Sequence, residues 1–138
     1  MRELKKPLRT AYYDKITALG LVCYETGSVP DDAVSPYVVI AAMSGSEDSN
    51  KTDTGQTMQT LLDVVTFYDR NDIAGSTLVD SMAGLILGEI NSKKIMVIGE
   101  GLQVVNTRLL QDQSVNLTTT TQRTYRRLLR YEQLIMEV

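Results

Sequence analysis

Residues 35–42, Ser-Pro-Tyr-Val-Val-Ile-Ala-Ala, limit the folds open to this chain more than any other stretch. Pro36 fixes its own φ and keeps Ser35 out of the α region, while Tyr37, Val38, Val39 and Ile40 are aromatic or β-branched, so the run enters and continues extended. Neither face of it is polar. A strand of that kind lies inside a sheet with cover on both sides, from helices or from a neighbouring subunit.

A second, longer strand is expected at residues 56–68, where Met58, Leu62, Val64 and Tyr68 alternate with Leu61, Val65 and Phe67. Fully extended it spans roughly 43 Å at about 3.3 Å per residue, more than a small sheet uses. Its first part is therefore expected to project as a hairpin arm. The preceding residues 44–55 are Ser, Gly, Glu, Asp, Asn, Lys and Thr only and read as a mobile polar loop. Asp48, Asn50 and Asp53 are close oxygen donors, but an EF-hand needs glycine where Asp53 stands and glutamate where Gln59 stands, so no calcium site is expected.

Two helices are expected. Residues 7–19 place Pro7 in a first turn, Leu8, Ala11, Tyr12, Ile16 and Leu19 along one face, and Gly20 past the end. Arg2, Lys5, Lys6 and Arg9 lie where the helix dipole disfavours cations and read as a solvated tip. Residues 76–90 begin at the capping residue Ser76 and repeat Leu78, Met82, Leu85, Ile86 and Ile90 at helical spacing. Gly84 and Gly88 form a flat strip expected to approach the chain's own sheet or, as the alternative, a neighbouring subunit.

Shorter elements fill the intervals. A strand is expected at 21–24, a turn region at 25–34, a break at 69–72, a turn at 91–94, a buried strand at 95–98 and a strand at 102–110, followed by a polar connection over 111–122. Gly99-Glu100-Gly101 reads as a hairpin turn, because position 104 is valine where a dinucleotide fingerprint needs glycine. Residues 125–137 fit a helix by propensity and a strand by alternation, with Tyr125, Leu129, Tyr131 and Ile135 opposite Arg126, Arg130 and Glu132. The strand is adopted. The expectation is one α+β domain over residues 1–138, a mostly antiparallel sheet with two helices packed on it and an extended hairpin arm.

The residues present narrow the chemistry. There is no histidine, which removes the commonest general base and nitrogen ligand, and Cys23 is the only cysteine, which removes an internal disulfide and a thiolate zinc site. Cys23 reads as a small buried hydrophobe. No spacing nominates a pair of converging carboxylates, so neither an enzyme nor a cofactor is expected. The net charge of -3 argues against a chain whose task is to coat nucleic acid or an anionic membrane, and no apolar run reaches spanning length. Candidate subunit or partner contacts are the acidic Glu47, Asp48 and Asp53 and a basic stripe of Arg123, Arg126, Arg127 and Arg130. Asp63, the one acid inside the long strand, is expected at an exposed or subunit-facing position.

The order of elements, the Pro36-Tyr37-Val38-Val39-Ile40 motif and the closing run Thr124-Tyr125-Arg126-Arg127-Leu128-Leu129-Arg130 together resemble the tail-completion, or tail-terminator, proteins of tailed bacteriophages. The resemblance spans nearly the whole chain. It implies a virion protein, assembled in the host cytoplasm, that forms a closed ring at the head-tail junction, usually of six subunits and in a connector layer of twelve. Such a ring stops the tail tube and joins it to the connector. It carries over no catalytic residues, and from the charge neither a membrane partner nor specific nucleic-acid binding is expected. The long extended segment before Leu61 and the Thr-rich connection depart from a typical member and leave another ring of the neck or tail as the alternative, with a nucleic-acid-binding module through Arg123, Arg126, Arg127 and Arg130, or a small enzyme, after it.

Overall fold

The structure is a computed structural model that describes residues 3–47, 55–72, 75–99 and 101–137. Its elements run α1 (Lys5–Ala18), β1 (Cys23–Glu25), β2 (Tyr37–Glu47), β3 (Gly55–Asp69), α2 (Thr77–Glu89), β4 (Leu102–Thr118) and β5 (Gln122–Glu137). The strands form one sheet in the order β1-β2-β3-β5-β4, with β1 parallel to β2 and every other pairing antiparallel. This is the expected α+β architecture.

Strand alternation divides the sheet into two unlike faces. Val38 and Ile40 in β2, Leu62 and Val64 in β3, and Leu129, Tyr131 and Ile135 in β5 are buried on one face. Both helices pack there, α1 against β1 and β2 and α2 against β3 and β5. Leu4, Leu8, Tyr12 and Ile16 recur every fourth residue along α1 and are all buried, which is the spacing that stacks side chains on one helical stripe. Val79, Met82, Ala83 and Ile86 do the same for α2. Each large apolar side chain removed from water in this way contributes about 1.5–3 kcal/mol.

Local chemistry sets the ends of α1. The Glu3 carboxylate accepts hydrogen bonds from the Lys5 and Lys6 backbone N–H groups at 2.6 and 3.2 Å, supplying the negative charge that a helix start favours and offsetting the lysines. Gly20, at φ +83°, ends the helix with its N–H on the Thr17 carbonyl. The two helices are joined by Lys15 Nζ and a Glu89 carboxylate oxygen 3.7 Å apart.

The structure departs from the sequence-based expectations at five places. Residues 44–47 belong to β2 and pair with Gln56–Gln59, so the polar loop is shorter than expected at both ends, and residues 48–54 lie outside the described residues. The start of β3 does not project as an arm. Gln56, Met58 and Thr60 are buried and this part is paired with β2 on one side and β5 on the other. The extended hairpin is made instead by β4 and β5, because residues 111–118 continue β4 where a polar connection was expected. Residues 95–98 are not a strand: Met96 is buried, while Ile95 and Val97 are 71% and 84% exposed. Gly84 and Gly88 face away from the sheet, with nothing within 4 Å of where a Cβ would stand.

The strand at residues 35–42 is interior, as expected, between β1 and β3. Its second face has no helix over it. Tyr37 and Val39 are only half-buried there, and Tyr37 sits edge-on to Tyr24 and to Phe67 at centroid distances of 5.6 and 6.2 Å.

Candidate interaction surfaces

The four arginines singled out in the sequence sit on β5, and a strand sends alternate side chains to opposite faces. Arg123 and Arg127 therefore share the helix-bearing face, and Arg126 and Arg130 the open one. The single basic stripe is split in two.

Three of those guanidinium groups are placed by specific surroundings. Arg127 Nε and Nη2 donate to the two carboxylate oxygens of Asp112 in β4 at 2.7 and 2.6 Å, and its Nη1 donates to Asp80 in α2 at 3.2 Å. These bonds hold the Asp112 carboxyl below the usual aspartate value and push the Arg127 guanidinium up. Arg126 donates through Nε and Nη2 to Asp63 at 3.1 and 2.5 Å, which pushes Arg126 up as well. Of the exposed or subunit-facing position expected for Asp63, exposure is overturned: it is buried and paired within the subunit, on the sheet face that no helix covers. Arg123 lies half-buried with its Nε unpartnered, and Arg130 has no ion pair among the described residues. Glu47 ends β2, where its backbone pairs with Gln56, and Asp48 and Asp53 lie outside the described residues.

The core between helices and sheet contains one polar chain that sequence patterning missed. The Tyr12 hydroxyl donates to Gln133 Oε1 at 2.7 Å, and Gln133 Nε2 donates to Thr107 Oγ1 at 3.2 Å and approaches Met96 Sδ at 3.9 Å. Tyr131 donates to the Ile90 carbonyl at 2.7 Å. Burial pushes both tyrosine hydroxyls well above their ordinary value. Cys23 is buried, as its residue type suggested, and burial pushes its thiol up to about 11. The only sequence signal for the polar chain is a glutamine at an apolar-face position, Gln133 between Tyr131 and Ile135.

What remains free on the molecule is backbone and sheet surface. The outer edge of β4 and the outer edge of β1 have no strand beside them among the described residues. The open face is mixed, with the aromatic cluster of Tyr24, Tyr37 and Phe67 at the β1 side and arginines at the β5 side. On the helix-bearing side a shallow groove of about 220 Å³ runs between the end of α2 and β4, lined by Leu87, Ile90, Thr107, Leu109 and Tyr131 among others. Among the described residues no three His, Cys, Asp or Glu side chains are gathered as metal ligands. No helix among them is long and apolar enough to cross a membrane.

No protein-family model matches the chain, and no curated protein matches it. Among solved structures it is similar to a chain from the virion of a native gene transfer agent particle, with a TM-score of 0.71 and 20% identity over 94% of each chain. That likeness establishes a shared fold.

Proposed function

We propose that this chain is a structural subunit of a tailed-phage-like virion that assembles into a closed ring at the head-tail junction, in the manner of a tail terminator. The observation that carries this reading is the end-to-end likeness of fold to a chain of a gene transfer agent virion, with almost nothing left over on either side. It agrees with the resemblance of the element order and the Pro36–Ile40 motif to tail-completion proteins.

The surface chemistry supports association in place of catalysis. The strongest charges converge on one another in Asp63–Arg126 and in Asp112–Arg127–Asp80, as structural ties. Free strand edges and a broad open sheet face are what a chain presents to copies of itself. With Arg126 and Arg127 already paired and the arginines divided between two faces, little basic surface is left for phosphate.

The long β4–β5 hairpin, which the resemblance does not supply, favours a second reading as another ring of the neck or tail. Copy number separates the two. Mass photometry of the purified protein is expected to show a closed ring of six for the terminator, and twelve points to a connector layer. A protein that stays monomeric at high concentration and is missing from intact particles overturns both.

A further inference from the structure

We infer that copies of this chain join edge to edge, the outer edge of β4 in one copy receiving β1 of the next as an antiparallel strand. This rests on the ring reading and specifies its contact.

The first observation is an unprotected edge. β4 carries register shifts after Val104 and after Leu109, but from Gln111 to Thr118 it pairs with β5 without interruption, and its other side is bare. Bare edges of that length are normally blunted by lysine, proline or inward charge. Residues 111–118 contain no lysine or proline, and their one charge, Asp112, is turned onto Arg127 of the same subunit. Leu117 is 59% exposed on this strand.

The second observation is direction. β4 lies at one edge of the sheet and β1 at the other, and the order β1-β2-β3-β5-β4 makes the two antiparallel. A rotation axis along the strands preserves that relation between copies, so the contact is head to tail and, where the rotation is a whole fraction of a turn, closes without a second kind of interface. Tyr24, through Val39, Asp63 and Leu128, stands level with Gln113, and all five point away from the helices. The two edges are thus matched in height as well as in direction. Backbone hydrogen bonds of an added strand supply the affinity.

The third observation is charge. Residues 21–47 hold four acids, Glu25, Asp31, Asp32 and Glu47, and no lysine or arginine. Residues 102–137 hold five arginines against three acids, and with Arg108, Arg126 and Arg127 in ion pairs within the subunit, Arg123 and Arg130 are the two of them that have no ion pair among the described residues. A head-to-tail contact sets the acidic side of one copy against the basic side of the next, which favours this partner over an isologous pairing of like edges.

Paired cysteines test the contact. In a Cys23→Ala background, Tyr24→Cys is combined in turn with Gln111→Cys, Gln113→Cys and Val115→Cys, three positions on the open face that sample neighbouring registers. Each protein is first matched to its parent by far-UV circular dichroism and melting. Under mild oxidation one pair is expected to give a ladder of covalent multimers on a non-reducing gel, absent from every single-cysteine protein. Hydrogen exchange on the unmodified chain is a second reading, with the outward-facing backbone N–H groups beside Gln113, where the three residues of β1 would lie, protected at least tenfold more in the assembled state than in dilute monomer. A closed ring with no ladder from any pair and no added protection overturns the edge contact and leaves the ring standing. A ladder from open chains that never close upholds the contact and removes the ring reading, and a protein that never associates removes both.

Discussion

The carboxylate of Asp63 in β3 and the guanidinium of Arg126 in β5 meet fork to fork on the sheet face that no helix covers, with Nε to Oδ1 at 3.1 Å and Nη2 to Oδ2 at 2.5 Å. They are diagonal neighbours, since Asp63 stands opposite Leu128 and Arg126 opposite Val65. Both carboxylate oxygens are occupied, which is why an aspartate is tolerated in the middle of a central strand. Asp63→Asn is expected to lower unfolding free energy by about 1–2 kcal/mol, a value reduced by the partial exposure of Arg126. Urea denaturation of Asp63→Asn, Arg126→Gln and the double variant checks it, with the double variant costing less than the two singles together.

Tyr12 and Gln133 are far apart in the chain and form the central bond of the buried polar network. Tyr12→Phe keeps the ring but leaves Gln133 Oε1 without its donor in a dry site, so a loss of about 1–3 kcal/mol is expected. Gln133→Leu removes both the acceptor and the contact to Thr107, leaving two hydroxyls unpaired, and is expected to cost at least as much. Equal stability of Tyr12→Phe and the parent in thermal melts would show that the bond is absent.

Alkaline stability follows from the same tyrosines. Burial raises the hydroxyls of Tyr12 and Tyr131 in the folded state above their ordinary value near 10. Above that value the unfolded chain releases protons that the folded chain keeps, so the tyrosines' contribution to stability is complete below about pH 10 and is lost as pH rises further. Monitoring tyrosinate absorbance and circular dichroism together is expected to show a late part of the tyrosinate signal that appears only with unfolding. Tyr12→Phe and Tyr131→Phe should each remove a comparable share of that late step, since each takes away one group linked to the transition.

The legible part of the sequence was where alternation and burial coincide. Residues 125–137 read as a strand against their helix propensity because Tyr125, Leu129, Tyr131 and Ile135 alternate with arginine and glutamate, and the structure forms β5 there. Residues 95–98 failed for the converse reason: Ile-Met-Val-Ile has strand composition, but β4 takes the free edge of β5, and the segment serves as cover, with Met96 turned inward near Gln133. Residues 111–118 looked like a connection because all but Val115 are exposed, so that no apolar alternation is required. Their order comes from across the strand, as in Asp112 with Arg127, and cross-strand partners cannot be read until the register is known. The arginines follow the same rule, since a count of charge along a strand says nothing of which face each one takes.

The glycines of α2 give the last prediction. Gly84 and Gly88 lie inside a regular helix and a Cβ at either position meets nothing within 4 Å, so neither is needed for packing in the subunit. Glycine in a helix interior costs about 1 kcal/mol relative to alanine through the freedom it retains in the unfolded chain. Gly84→Ala and Gly88→Ala are therefore each expected to raise stability, by about 0.5–1 kcal/mol, and to add when combined. Because the edge contact between copies uses β4 and β1, the double variant should also associate as the parent does. Mass photometry alongside melting distinguishes the possibilities: raised stability with association intact leaves the strip as plain surface, whereas raised stability with association lost by tenfold or more assigns the outer face of α2 to an interface that needs close backbone approach.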